Sequence, residues 1–345
     1  MKDQYEVTIG IPVYRSVDFI RDTMTSALNQ TFPDIEFLIV DDCGQDGTMD
    51  IVSQIQNSHL RGKDIRTLKN DKNLGVSYSR NRIIDEARGR YLYFMDSDDT
   101  IEPNTIQLLY GAIIQNHVQI AYGSYEIIDG IGNSPIEKYQ KDALVLKGDD
   151  KLALYAFKNN RIFHVSVCNY LIDLTFLRQS EVRFIDVSYW EDMVYTTELV
   201  TKIDSAVMLP DITYHYYRHP DSLSHYQKRD VYEREEIKKN VSIIQLLKDK
   251  CITLTDKVYL PYLCYNLEMN SFYVVCYIWK NSHRIDTDIP FSEMRDILRH
   301  PIGPHDILMF NHKKVSNLCF WLLGNLPISL FASATWLLGK LKRAI

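Results

Sequence analysis

"RYLYFMDSDD", residues 90–99, runs large apolar side chains straight into three carboxylates within four positions. An apolar run of this length next to turn-forming residues reads as a strand buried on both faces. Carboxylates so close together repel, so something must hold Asp96, Asp98 and Asp99 there, which raises the question of the cation or reaction they serve. Upstream, "YEVTIGIPVY", "IEFLIVDD" and "IRTLKN" have the same strand character.

Between these strands the apolar residues recur at helical spacing. "VDFIRDTMTSALNQT" puts Phe19, Ile20, Met24, Ala27 and Leu28 on one face, with Ser16 as its expected cap. "MDIVSQIQN" and "VSYSRNRIIDEARG" supply two more helices, the latter expected to close at Gly89. Strands alternating with helices imply parallel pairing in an α/β sheet. Ligands of such sheets gather at the carboxyl ends of the strands. Tyr14, Asp41-Asp42 and Asp96-Ser97-Asp98-Asp99 therefore belong on one rim.

Further along, "QIAYGSYEIID" and "AVMLPDITYHYYRH" read as strands, and "YWEDMVYTTELVTK" as a turn entering a helix. From about residue 228 the chain turns helical and charged. The expected division is residues 1–225 as an α/β domain and 226–345 as a helical region. Between Val315 and Gly339 no residue is charged, and beyond Asp306 there are five basic residues and no acidic one. The stretch is long enough to span a bilayer, but Asn325 and Pro327 interrupt it. Two short helices lying on an anionic membrane surface across 315–343 are the preferred expectation, and a helical pair buried against the rest of the chain is the alternative.

Composition narrows the function. The 345 residues are 46% hydrophobic and 24% charged, which is globular, and the net charge of −6 argues against nucleic acid as a partner. The six Cys have no close CxxC pairs, and the first residues carry no apolar leader core; both favour a reduced, cytoplasmic setting. No GxGxxG follows the first strand, which disfavours a dinucleotide-binding dehydrogenase. Oxygen-only ligands such as those of Asp-x-Asp suit Mn²⁺ or Mg²⁺, ions that share their coordination with a substrate diphosphate.

The pieces "VTIGIPVYRSVDFIRDTMTSALNQTFPDIEFLIVDDCGQDGTMDIV", "NLGVSYSRNRIIDEARGRYLYFMDSDD" and "YWEDMVYTTEL", in this order, resemble the inverting family 2 glycosyltransferases of GT-A fold. The resemblance implies a mostly parallel twisted sheet flanked by helices and a nucleoside-diphosphate sugar donor, UDP-linked by preference. It also implies a glycan or lipid-linked glycan acceptor in surface polysaccharide synthesis, and the basic, apolar tail suggests a place at the inner face of the cell membrane. By the same resemblance, Pro12 and Tyr14 contact the nucleotide base and Asp42 accepts its N–H, while Asp41 orders the loop. Arg80 lies near the nucleotide, Asp96 near the ribose or the metal, and Asp98 ligates the metal, with Asp99 behind it. Asp192 is the base, Glu191 lies near the acceptor, and Arg218 meets the donor phosphates with Ser222, Ser224 and a histidine of that loop nearby. Asn169-Tyr170 stand where the family often carries a Lys.

Two rivals remain. "FMDSDDT" also fits a haloacid-dehalogenase-like phosphatase, with Asp96 as nucleophile and Asp98 as acid–base residue, although three strand–helix units precede it. The other rival is a GT-A scaffold that has lost its activity.

Overall fold

The computed structural model describes residues 4–130, 134–159, 167–187, 190–219 and 231–342. The chain forms two compact units, Met1–Leu152 with His164–His225, and Ala153–Phe163 with Tyr226–Ile345.

The first unit begins with β1 (Tyr5–Val13), α1 (Ile20–Leu28), β2 (Ile35–Asp41), α2 (Thr48–Ser58), β3 (Ile65–Lys69), α3 (Val76–Glu86) and β4 (Gly89–Phe94). It continues through β5 (Thr100–Ile101), α4 (Thr105–Asn116), β6 (Ile120–Asp129), β7 (Pro135–Tyr139) and β8 (Leu144–Lys147). After α5 (Lys151–Lys158), which enters the second unit, come β9 (Tyr170–Asp173), α6 (Leu174–Gln179), α7 (Glu191–Val200) and β10 (Ser205–Arg218). The sheet is mixed, ordered β3-β2-β1-β4-β9-β6-β10-β5, with β7 on β6 and β8 on β10. Its first four strands are all parallel, in register Val7↔Ile35 to Val13↔Asp41 and Tyr5↔Gly89 to Gly10↔Phe94. Every residue of β2 is buried, as its apolar run from Phe37 to Val40 requires. Of its two acids, Glu36 accepts hydrogen bonds from Thr8, Arg66 and the Arg88 N–H, so its charge is compensated.

Three local features position the rim. Pro12 sits in the central strand because β4 pairs with β1 only as far as Gly10; beyond it no β4 neighbour needs the missing N–H. Gly10 lets α3 lie against β1: a Cβ there would stand 2.3 Å from Ile83 Cγ2. Pro210, in β10, falls where the pairing with β6 slips between Met208 and Ile212.

Two local expectations are corrected. Ser16 starts α1 through its carbonyl, which accepts from Phe19 and Ile20 N–H, while its hydroxyl lies 2.6 Å from Ser97 Oγ. Gly89 does not close α3, which ends at Glu86; it opens β4 at a contact where a Cβ would lie 2.3 Å from Thr8 N.

The second unit is helical: α8 (Arg234–Cys251), α9 (Leu260–Asn281), α10 (Phe291–Ile297), α11 (Pro304–Leu308), α12 (Lys314–Gly324) and α13 (Ile328–Leu341). Phe272, Val275, Leu298, Leu323 and Phe331 lie in its core. Each such side chain contributes about 1.5–3 kcal/mol by leaving water. Within this core Lys248 of α8 meets Glu268 of α9 at 2.7 Å, both essentially inaccessible, and also donates to the carbonyls of Ile297 and Arg299. Among the described residues no helix is long and apolar enough to cross a membrane.

Candidate active site

The rim is organised by α3. The Asp42 carboxylate, just past β2, accepts from Asn70 Nδ2 at 2.7 Å, Leu74 N–H at 2.9 Å and Gly75 N–H at 2.8 Å. Gly75 has φ +87, which glycine adopts without penalty, and it leads into α3. Asp42 thus fixes the start of α3, and the described residues leave it one lone-pair position for a ligand. The expected division of labour between the two acids changes accordingly. Asp41 Oδ1 orders its own turn by accepting the Gly44 N–H, and Asp42 orders the next loop as well.

One turn into α3, Arg80 is buried and clasps three carboxylates. Nη1 donates to Asp192 Oδ1 at 2.6 Å and to Glu191 Oε1 at 3.1 Å, and Nη2 donates to Asp96 Oδ1 at 3.0 Å. Burial alone would lower the guanidinium pKa, but Asp192, Asp96 and Glu191 outweigh it and hold Arg80 charged. Asn81, the next residue, exchanges two hydrogen bonds with the Phe184 backbone at 2.8 and 2.9 Å. Phe184 in turn stacks on Tyr195 of α7 with centroids 3.9 Å apart. Adjacent residues of "SRN" therefore hold both the loop before α7 and the acids at its start. Trp190 precedes α7 with φ 62, unusual for a bulky residue. Glu191 and Asp192 occupy the first helical turn, where the macrodipole favours negative charge.

The three acids of the opening stretch have three different surroundings. Asp96 is paired with Arg80. Asp99 is buried, with Oδ2 accepting from Tyr214 Oη at 2.6 Å and Oδ1 from the Tyr217 N–H at 2.8 Å. Burial, then Asp98 and Asp96, push its carboxyl well up despite those donors. Tyr214 Oη also accepts the Asp96 N–H at 3.3 Å, anchoring the acidic turn to β10. Asp98 accepts no side-chain hydrogen bond from a described residue. Burial, and then Asp96, push its carboxyl up to about 6. Asp192 is pushed up to about 7 by burial, with Arg80 opposing and Glu191 and Asp96 adding to the rise.

Among the described residues no group of three His, Cys, Asp or Glu is arranged to hold a metal ion. The donor set nevertheless fits Mn²⁺ or Mg²⁺ bound chiefly by a substrate diphosphate and water, with Asp98 as the rim carboxylate that no described residue pairs with and Asp96 beside it.

The other expected site residues lie around this centre. Tyr14 is exposed past β1, with the Arg15 guanidinium 5.2 Å from its ring centroid. Pro12 is buried in β1. Arg218 is exposed at the end of β10, one residue after the Tyr217 N–H that reaches Asp99. Ser222, Ser224 and His225 lie outside the described residues. His215 bridges Glu102 and Glu126 at 3.0 and 3.1 Å, so its ring is engaged away from the acidic turn. Asn169, with φ 67, is structural: it donates to Ser124 O and accepts from Thr213 Oγ1.

The sequence reading missed Tyr214, Asn70 and Asn81. Tyr214 could not be found from strand alternation, because the pairing of β10 with β6 slips between Ile212 and Tyr214. Nothing local marked Asn70.

Comparison with known proteins agrees with this architecture. Residues 8–175 match the family model described as glycosyl transferase family 2. The putative teichuronic acid biosynthesis glycosyltransferase TuaG of Bacillus subtilis is 32% identical over 146 residues, 42% of this chain and 56% of TuaG. The UDP-Glc:alpha-D-GlcNAc-diphosphoundecaprenol beta-1,3-glucosyltransferase WfgD of Escherichia coli is 32% identical over 137 residues, 40% of this chain and 51% of WfgD. The chain thus spans about half the length of these curated relatives. The crystal structure of S. aureus TarS 1-349 in complex with UDP superposes with a TM-score of 0.64, covering 92% of this chain and 90% of that one at 16% identity, which shows a common fold.

Proposed function

We propose that this chain, whose residues 8–175 match the model of glycosyl transferase family 2, is a member of that family that transfers a sugar from a nucleoside diphosphate to a glycan hydroxyl with inversion, in cell-surface polysaccharide synthesis. The observation that carries the reading is the division of labour among the rim acids. Asp96 and Asp99 are held by the chain, Asp98 is left for a cation, and Asp192 is tied to the same Arg80 as Asp96. UDP is the favoured nucleotide, because the names of WfgD and of the TarS complex both carry it.

In this reading Tyr14 offers its exposed ring to the base, the last lone pair of Asp42 accepts a base N–H, and Arg218 contacts the donor phosphates. Asp98 and Asp96 would hold Mn²⁺ or Mg²⁺, which when bound would supply positive charge to offset that on the leaving diphosphate. Asp192 takes the proton of the acceptor hydroxyl while its oxygen bonds to the anomeric carbon and the carbon–diphosphate bond breaks on the opposite face. Arg80 holds Oδ1 of Asp192 and so orients the other oxygen. A carboxyl pushed up to about 7 is matched to proton transfer near neutral pH. Glu191 shares Arg80 and lies beside the acceptor path. The acceptor is a glycan, free or lipid-linked, and the reaction is placed at the inner face of the membrane, as the diphosphoundecaprenol in the name of WfgD supports.

The phosphatase reading would need Asp96 as a free nucleophile, whereas it is paired with Arg80 after the fourth strand. The test is turnover of a panel of UDP-sugars with Mn²⁺ and glycan acceptors, with the product's anomeric configuration read by NMR. An inverted product that Asp192→Asn fails to make supports the reading. A retained configuration, or wild-type turnover by that variant, overturns it. No turnover with any nucleotide sugar favours the inactive scaffold.

A further inference from the structure

We propose that the outward faces of α12 and α13 form a monotopic anchor seated in the interface of an anionic lipid bilayer. A helix covering a globular unit buries one apolar stripe and turns polar residues to water. These two do not. α13 buries Phe331, Thr335 and Gly339 at intervals of four, and α12 buries Asn317, Leu323 and Gly324. On other sides Val315, Leu322, Leu330, Leu337 and Leu341 are 73%, 56%, 57%, 55% and 72% exposed. At 100° per residue Leu330, Leu337 and Leu341 fall on one line of α13, roughly opposite the buried stripe. Exposed leucines aligned in this way form a surface that calls for a partner, unlike the scattered single ones of ordinary surfaces.

The chemistry at the ends of these helices identifies the partner. Lys313, Lys314, Lys340 and Lys342 are all exposed, and residues 307–342 contain no acid, in a chain whose net charge is −6. Two copies joined through this face would bring eight lysines together with no acid from either segment, so self-association is disfavoured. Anionic headgroups complement the same pattern. Trp336 is half-exposed with Lys340 Nζ 5.5 Å from its ring centroid, an aromatic–cation pair suited to the headgroup level. α13 has 14 residues and rises about 21 Å, short of a hydrocarbon core of about 30 Å. Pro327 separates it from α12, so the pair lies in the interface and does not cross it.

This deepens the location proposed above and does not depend on the transfer chemistry; a chain that transfers sugar yet ignores vesicles would refute it alone. The experiment is co-sedimentation of the full chain with vesicles of phosphatidylcholine, alone or with roughly one part in four phosphatidylglycerol. Expected are binding to the anionic vesicles, at least about tenfold weaker binding without the anionic lipid or in high salt, and a loss of about fivefold per lysine in Lys340→Gln and Lys342→Gln. Leu330→Gln/Leu337→Gln is expected to release the chain while leaving its melting temperature and its retention in donor-nucleotide binding unchanged, because both side chains lie at the surface. The proposal is overturned if the full chain stays in the supernatant, or if the double-leucine variant sediments like the wild type. It is also overturned if the chain is a lipid-independent dimer that the same substitutions dissociate.

Discussion

Arg80→Met tests whether the clasp holds the rim together. Methionine keeps most of the volume and removes the charge. The Arg80 side chain is 6% exposed, and its partners Asp96, Glu191 and Asp192 are 31%, 15% and 20% exposed. Removing one partner of a fully buried ion pair costs about 3–5 kcal/mol. The partial exposure of the acids puts this case at the lower end, about 3 kcal/mol. In a unit of this size that is a fall in Tm of about 6–12 °C at pH 7.5. The sign of the pH dependence follows from the acids left behind. Asp192 already titrates near 7 in the fold, above its unfolded value, and without the guanidinium it moves higher. The destabilisation is therefore fully present above that folded value and shrinks as pH falls toward the unfolded carboxylate range. Thermal unfolding of both proteins at pH 7.5 and pH 5 is the assay. A loss below about 2 °C at pH 7.5, or a gap that widens on acidification, would refute the argument.

Other outcomes follow from the same geometry. Asp192→Asn is expected to lower kcat by about 10²–10⁴ while nucleotide affinity stays near wild type, as steady-state kinetics with parallel calorimetry would show. In the wild type, kcat should rise with pH through an acid limb near 7 as Asp192 loses its proton, and that limb should vanish from the residual rate of the variant. Gly10→Ala forces a Cβ onto Ile83 and is expected to destabilise by about 1–3 kcal/mol, measured by urea unfolding. Lys248→Met leaves Glu268, already pushed up to about 7 by burial, without its cation; a loss of about 3–5 kcal/mol is expected, largely recovered in Lys248→Met/Glu268→Leu.

Much of this was legible in the sequence because parallel strands announce themselves. β2 is buried on both faces, so it reads as an almost wholly apolar run, and its end must lie beside the end of β1. That argument placed Tyr14, Asp42 and the Asp96–Asp99 cluster on one rim. It could not show what Arg80 does, because the clasp joins residues 16 and 112 positions apart through an approach set by Gly10. Nor could it show that Asp42 is taken up by Asn70, Leu74 and Gly75, since the partner loop has no periodicity. Ser16 and Gly89 were misread for a related reason. Local rules favour a cap and a helix stop, but a tertiary contact, to Ser97 and to Thr8, decides each residue's role.

The central claim is that Asp98 and a divalent cation receive a nucleoside diphosphate, and calorimetric titration of UDP with and without Mn²⁺ into wild type and Asp98→Ala tests it most directly. The account predicts binding that requires the ion and disappears in the variant. Equal UDP binding by both proteins in metal-free buffer would contradict it.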